Sequence, residues 1–511
     1  MKGLPRILLL TPPLVQTNCP YPATMHLAAY LRGKGHVVAQ RDLSVRVVRD
    51  VLVRFGGDEA EELLELLSGD APDDAKLEAS AWMDDLAIRI RREIDPSFGF
   101  SRYAAHLGES AADFGEVEKA VRKRGVIDRP LERRLAEAIE ETDPGEIWVT
   151  CPFPGTLVPA FKIARYVRKH HPRIRLALGG GFVSTELRKM TDRRPYRYFD
   201  EFHFDSPPDM PVFVVPSYDG IDWSEYFDVV ETANPMHRLW STGRWVKLVM
   251  APGCYWHRCA FCDVNLDYIK CFTMPAAAEI VDCMEGFVRR GLGRFHFVDE
   301  AMPPKLIREV CEEVLRRKLV CEWWGNVRFD ASFTVAMAKL MSRAGCIAVT
   351  GGLECANDRL LKLMNKGITL ASAEKALTAF RRAGIMVHAY LMYGFPTETE
   401  AEARRALGFV RRIFRAGLVQ SAFWHRFALT VHSPIARDPA RFGIRLGPSD
   451  DFSRRFALNE IPYSEPAAPD WRRIGRGLDL ALYNYLDGRG LSKPLSFWFK
   501  AQFGDDGVNP S

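Results

Sequence analysis

Several things the chain lacks narrow its role early. It has no long apolar run. The longest uncharged stretch, Ile7 to Leu31, carries four prolines together with Gln16, Asn18 and His26, whereas a bilayer span needs about 20 mostly apolar residues. The start, Met1-Lys2-Gly3-Leu4-Pro5-Arg6, lacks the apolar core and small-residue cleavage site of a secretory leader. A cytoplasmic, membrane-free protein is therefore expected. Charge imbalance is also missing: 70 basic against 65 acidic side chains leave a formal net charge of +5, too little to single out nucleic acid or an acidic membrane as partner. There is no internal repeat and no low-complexity run.

What is present is an ordinary globular composition. The chain has 511 residues, 47% hydrophobic and 26% charged, enough for two to four domains with ample core. Its 11 cysteines are an odd number. In a cytosolic chain clustered cysteines point to metal or catalysis rather than disulfides.

The first 204 residues read as a doubly wound, Rossmann-like α/β domain. Short apolar runs at Arg6–Thr11, Val37–Leu43, Glu146–Cys151 and Ile174–Leu178 have the look of buried parallel strands. Helices are expected at Ala23–Gly35 and Leu157–His170, and a long charged helical insertion over roughly Val45–Glu141. Open sheets of this kind bind ligands beyond the carboxyl ends of their strands. Thr11 to Pro13, Thr150 to Gly155 and Gly179-Gly180-Gly181 fall at such ends, and the glycines let backbone approach something closely. The segment Asp200 to Pro208 is short for a full fifth strand with its helix. Residues 205–245, rich in proline, aspartate and aromatics, read as a linker.

A second α/β series fills residues 246–440. Strands are expected at Val246–Ala251, Arg294–Val298, Glu322–Val327, Ile347–Gly351, Met386–Met392 and Phe423–Leu429. Six such units with helices between them suit a partial (β/α)6 barrel, an open relative of the eight-stranded TIM type. Residues 441–511 read as a small α-rich extension whose best helix is Trp471–Leu486.

The chemistry begins where the first barrel strand ends. Gly253-Cys254-Tyr255-Trp256-His257-Arg258-Cys259-Ala260-Phe261-Cys262 sets three thiols in nine residues. Thiolates are soft ligands, suited to iron–sulfur clusters or zinc. A cubane held by three cysteines keeps one iron open for a substrate. The alternative is a zinc site completed by His257 or Cys271. Zinc sites more often pair two C-x-x-C knuckles, or one knuckle with two histidines, and only one C-x-x-C is present here.

Cysteines after a first barrel strand, with Phe261 just before the last, resemble the radical S-adenosylmethionine superfamily. The gap between Cys254 and Cys259 is one residue longer than that family's usual C-x3-C-x2-C. Further segments at the ends of expected strands strengthen the likeness. They are Asp299-Glu300, Gly325-Asn326-Val327-Arg328, Thr350 to Glu354 followed by Lys366-Gly367, and Tyr393-Gly394-Phe395-Pro396-Thr397-Glu398-Thr399. The resemblance covers about residues 245–440. It implies a 4Fe–4S cluster on Cys254, Cys259 and Cys262, and S-adenosylmethionine contacted by Phe261, Asp299, Glu300, Asn326, Arg328, Glu354, Gly394, Phe395 and Pro396. Reductive cleavage would give a 5′-deoxyadenosyl radical that takes hydrogen from an unactivated carbon.

An α/β sheet placed before such a barrel resembles the cobalamin-binding subclass. The resemblance implies corrin contacts from Thr11, Thr150, Gly179, Gly180 and Gly181. It also implies methylation of an unactivated carbon, with a flavodoxin or ferredoxin as electron donor. The D-x-H-x-x-G motif, whose histidine binds cobalt, is absent from the first loop. Without cobalamin the reaction would be a rearrangement, cyclisation or decarboxylation, and a non-catalytic iron–sulfur or zinc protein is the third reading. Substrate, small molecule or peptide, is expected to meet His388, Tyr390 and His425 across the barrel mouth. His388 and Tyr390 alternate by two and so share a strand face.

Overall fold

The computed structural model describes residues 5–100, 112–230, 236, 239, 241, 243–447 and 455–500. The chain divides into two compact units. One comprises Met1–Ala233, His237–Leu248 and Ser449–Asn459; the other comprises Asn234–Met236, Val249–Pro448 and Glu460–Ser511.

The first unit holds a five-stranded sheet of β1 (Ile7–Thr11), β2 (Val38–Asp42), β3 (Glu146–Thr150), β4 (Arg175–Gly179) and β5 (Glu201–Phe202). The order is β2-β1-β3-β4-β5, and every pairing is parallel. All five residues of β1 are buried, as a central strand covered on both faces requires. The short fifth strand is there, two residues long. Among the described residues the charged stretch resolves into five helices, Leu43–Gly56, Asp58–Ser68, Asp73–Glu93, Phe114–Arg122 and Asp128–Thr142. Their apolar faces join the strands in one core that also takes in Phe161, Phe199 and Phe456.

The segment read as a linker is counted largely with this first unit, and it is pinned there by side chains. The Tyr226 hydroxyl donates to Asp42 at 2.8 Å. Buried Lys76 pairs with Asp228 at 2.6 Å, and Arg244 reaches the other Asp228 oxygen at 2.8 Å. Composition alone hides this, because proline and aspartate mark irregular backbone without showing where it packs.

The second sheet contains β6 (Val246–Leu248), β7 (Arg294–Phe297), β8 (Glu322–Asn326), β9 (Cys346–Glu354), β10 (Met386–Tyr393) and β11 (Ser421–Arg426). Its order is sequential, β11 through β6, and the pairings of β7 through β11 are parallel. That is the open (β/α)6 half-barrel expected. On β10, Val387, Ala389 and Leu391 are buried. Tyr393, of the same parity, meets Trp471 of the helix Trp471–Leu486 with ring centroids 6.3 Å apart. This parity therefore faces the helices. His388, Tyr390 and Met392 face the inside of the barrel.

Candidate functional site

The cysteine loop is built from several directions. Asp299, just past β7, accepts the backbone N–H groups of Met250 at 2.8 Å and Ala251 at 2.6 Å. Burial pushes its carboxyl up to about 7, against the pull of those same bonds. Asp299 thus secures the backbone from which the loop springs, so its carboxylate is already spent. Gly253 takes φ +80°, and a Cβ there would meet the Cys271 backbone at 2.8 Å. Only glycine accommodates both the angle and the approach. Cys254 N–H donates to the Ile269 carbonyl at 2.9 Å.

The extra residue between the first two cysteines is absorbed at His257. This residue is left-handed (φ +33°), and its Nδ1 lies 3.0 Å from the Cys254 carbonyl. That contact turns the imidazole back onto the loop. Cys271 is exposed and lends its backbone to the seat of Gly253.

The turn Met364–Gly367 forms the other wall. Ala260 N–H donates to the Met364 carbonyl at 2.8 Å, the Trp256 indole N–H to Asn365 O at 2.7 Å, and Asn365 Nδ2 to Arg258 O at 3.0 Å. A Cβ on Gly367 would lie 2.1 Å from the Trp256 ring. The lysine–glycine pair seen in the sequence is therefore the platform on which Trp256 lies.

Next to this platform is a buried charge group. Lys366 pairs with Glu354 at 2.6 Å, and its ammonium lies 5.6 Å from the Phe261 ring centroid. Arg328 stacks over Trp256 at 4.7 Å and donates to the Lys366 carbonyl. Its Nε is buried with no partner among the described residues. The Cys259 thiol is held below the ordinary thiol range, first by the hydrogen bond from Cys262 and then by the cations of Lys366 and Arg328. Cys262 moves the opposite way because the two share a proton.

These residues fit a cluster. Three thiols share one clamped loop, with cationic surroundings that favour thiolate, the ligand form. A closed tetrahedral zinc site would need a fourth ligand; of the two candidates Cys271 is exposed, and His257 is turned back onto the Cys254 carbonyl.

The remaining expected residues divide in two. Asn326 donates to the Asp299 carbonyl at 2.8 Å and accepts from the Thr350 hydroxyl, so it braces strand ends. Glu300 is exposed to solvent yet crowded by protein, and that crowding raises its pKa. Gly394 and Phe395 give their N–H groups to Glu398 at 2.7 and 3.2 Å. The Phe395 ring belongs to a core cluster with Phe427 and Phe442, and Pro396 is buried. The Phe395 ring therefore does not face a ligand.

On the inner face His388, Tyr390 and His425 do come together. His388 lies 4.9 Å from Tyr390, and Tyr390 lies 6.3 Å from His425, between ring centroids. His388 Nδ1 is 2.9 Å from the Ser421 hydroxyl, and burial drives its pKa down to about 3. Burial also lowers His425. Both imidazoles are therefore neutral at pH 7.

Phe423, in the strand run Phe423–Arg426 that the sequence also offers as a barrel-mouth candidate, meets His425 edge-on at 4.3 Å. Sequence reasoning missed two neighbours, His296 and Trp324, cross-strand partners stacked at 3.5 Å. The signal was available in the i, i+2 parity of each strand once register is known.

In the first unit, β1 and β3 flank the point where strand order reverses, the crevice used by ligands in sheets ordered 2-1-3-4-5. Thr11 and Thr150 end these two strands. Both are buried, and neither hydroxyl has a partner among the described residues. Unpaired buried hydroxyls are costly, so these two are a mark of a site. The glycines read differently from expectation. A Cβ on Gly180 (φ +109°) would meet the Cys151 backbone at 2.7 Å, and one on Gly181 the Pro152 carbonyl at 3.0 Å. Their close approach is to the chain's own loop after β3. A cavity of about 1170 Å³ also lies in this unit, among Arg46, Arg49, Arg129 and Arg134. Arg46 is engaged by Glu225 and Arg134 by Asp50, and nothing of the chemistry above is near it in sequence.

Fold and site together define an α/β protein with a cluster-type cysteine loop at the mouth of an open parallel barrel. Residues 248–410 match the radical SAM superfamily. Curated relatives include an uncharacterised methyltransferase of Pyrococcus horikoshii, 24% identical over 35% of this chain and 39% of that one. Another is the bacteriochlorophyllide d C-12(1)-methyltransferase of Chlorobaculum tepidum, 28% identical over 30% and 34%. The aligned segment spans only about a third of either relative's length. Among solved structures, the radical S-adenosylmethionine methyltransferase TsrM of Kitasatospora setae, with cobalamin and a 4Fe–4S cluster bound, superposes with TM-score 0.55. It is 15% identical, over 94% of this chain and 90% of that one. The cobalamin-dependent radical enzyme OxsB gives TM-score 0.56 at 14% identity, over 95% and 67%. The fold is thus that of TsrM and OxsB. Among the described residues no helix is long and apolar enough to cross a membrane.

Proposed function

We propose that the chain is a cobalamin-dependent radical S-adenosylmethionine methyltransferase acting on an unactivated carbon of a small molecule, with a flavodoxin or ferredoxin as electron donor. One observation carries the reading. The same chain holds a clamped three-cysteine loop at the end of a barrel strand and, at the switch point of its other sheet, two buried hydroxyls without partners. Relatives and structural neighbours named as methyltransferases, some with cobalamin bound, support it.

Cys254, Cys259 and Cys262 would hold a 4Fe–4S cluster, and Thr11 and Thr150 would line the corrin crevice. When bound, the cluster with S-adenosylmethionine supplies one-electron chemistry, and cobalamin supplies the methyl group. The remaining work belongs to the chain. The free Nε–H of Arg328 is placed to take a carboxylate, and Glu300 to take an ammonium. Lys366 and Arg328 offset the charge of three thiolates. The neutral imidazoles of His388 and His425 give the inner wall hydrogen-bonding capacity without a charge to be desolvated.

The test is anaerobic reconstitution with iron and sulfide, then reduction in the presence of S-adenosylmethionine and hydroxocobalamin. Formation of 5′-deoxyadenosine, with corrin retained through desalting, is the expected result. No cleavage overturns the reading. Cleavage without corrin retention replaces methylation by rearrangement, cyclisation or decarboxylation.

A further inference from the structure

The inner face of the second sheet carries rings where a solvent-facing strand would carry polar groups. On β10 and β11 the inward positions are His388, Tyr390 and Met392, registered against Ser421, Phe423 and His425. Tyr390 is 38% exposed and Phe423 52% exposed, although their outward neighbours Ala389, Leu391, Ala422 and Trp424 are all buried. Phe423 and Tyr390 both touch His425, at 4.3 and 6.3 Å between ring centroids, so the three form one accessible ring surface. Further along the same face, the buried Trp324 ring is stacked nearly parallel to His296, 9° apart. Exposed aromatic surface of this extent, backed by a closed core, is informative where a lone exposed side chain is not.

Charge narrows the occupant. From mid-strand to the carboxyl ends of β7 through β11, no lysine or arginine stands at an inward position among the described residues. Of the two cations beside the cysteine loop, Lys366 is engaged by Glu354, and the free Nε–H of Arg328 is the group assigned above to the carboxylate of S-adenosylmethionine. A phosphorylated or polycarboxylate substrate would find no free counter-charge on this wall. A flexible acyl chain would leave the ring faces and imidazoles unmatched.

We propose that the substrate is a planar conjugated ring system without phosphate, held by stacking on Phe423 and Tyr390 and hydrogen-bonded by His425. The inference rests on the proposed radical methyltransferase reading but concerns binding, which needs no turnover. Full-length reconstituted protein is titrated with indole and, separately, with quinoline, in equilibrium dialysis, with glucose 6-phosphate and palmitate as comparisons. At least one ring probe should bind and neither comparison should. Phe423→Ala and Tyr390→Ala should each weaken that binding roughly 2- to 10-fold, whereas Tyr483→Ala, an exposed aromatic on the helix Trp471–Leu486, should not. Phe423→Leu keeps apolar bulk and loses the ring. Full affinity in Phe423→Leu would overturn stacking as the cause. Failure of both ring probes in protein that still cleaves S-adenosylmethionine would overturn the substrate class and leave the enzyme reading intact. Failure of cleavage with ring binding preserved would do the reverse.

Discussion

The two strand-end sites are built on opposite electrostatic plans. At the barrel mouth of the second unit most charges are committed to one another or to the backbone. Asp299 holds two backbone amides, Glu354 holds Lys366, and Arg328 lies on Trp256. At the switch point of the first unit the strand-end groups are neutral, and two hydroxyls have no partner. The first plan suits a small, highly charged group that must be held against a field. The second suits a large organic ligand recognised by shape and a few hydrogen bonds. The difference teaches that a pre-wired site resists change and shows in stability, whereas a site completed by its ligand shows in binding.

The largest expected effect is at the cysteines. Cys254→Ala, Cys259→Ala or Cys262→Ala should each abolish reductive cleavage of S-adenosylmethionine, while Cys271→Ala, whose side chain is exposed, should leave it nearly intact. Cleavage and iron content are the readouts. Equal damage from Cys271→Ala would point to a four-thiolate site and dissolve the contrast between the two plans.

Breaking the buried pair comes next. Lys366→Met leaves the Glu354 carboxylate buried alone, a change that typically costs about 3–5 kcal/mol. Urea unfolding of the metal-free protein measures it. The double variant Glu354→Gln with Lys366→Met should recover much of the loss, since neither charge is then stranded. If Lys366→Met costs under about 1 kcal/mol, the site is not pre-wired.

A pH test separates structural carboxylates from ligand-facing ones in the first unit. Burial raises Asp42, at the end of β2, from 3.8 to about 6, although the Tyr226 hydroxyl and the Ser44 amide work against the rise. A folded-state pKa above the unfolded one means the folded chain holds the proton more tightly. Stability from this group is therefore full below about pH 4 and is lost as pH rises through 6. The slope is at most about 1.4 kcal/mol per pH unit. Asp42→Asn should flatten the decline between pH 4.5 and 6.5 relative to the parent, and an unchanged slope would mean the group is solvated.

Much of this was legible in the sequence because the determinants are local. The strand Glu146–Thr150 and the helices Leu157–His170 and Trp471–Leu486 follow from apolar runs and helical periodicity, and lie within a residue of where the pattern puts them. The six-strand order of the barrel is the one a (β/α)6 series adopts when each parallel strand pairs with the next in the chain. What stayed hidden depends on distant partners. Asp299 looked like a ligand for an ammonium because its two amides lie 49 and 48 residues earlier in the chain. Gly180 looked like a cofactor contact because the Cys151 backbone it accommodates belongs to another strand's loop. Gly367 sits in a recognisable motif, yet its partner Trp256 is 111 residues away. Residue type announced each position as special, and only register and packing said for what.

The smallest expected effect tests the first unit's plan directly. Thr150 is 5% exposed, and its hydroxyl has no partner among the described residues. Valine has nearly the same shape and no hydroxyl to leave unsatisfied. In the ligand-free protein Thr150→Val should therefore be neutral, or stabilising by about 1 kcal/mol, the opposite sign from most buried substitutions. Thr11→Val should behave the same way, because Thr11 is fully buried with an equally unpartnered hydroxyl. If the hydroxyls exist to meet a corrin, the same two variants should retain less hydroxocobalamin through desalting, each by roughly 5- to 10-fold in affinity for one lost hydrogen bond. Destabilisation of the ligand-free protein together with unchanged corrin retention would make the hydroxyls structural. The opposite signs for stability and binding are the signature of a site its ligand completes, and Lys366→Met, which strands a buried charge, should not show them.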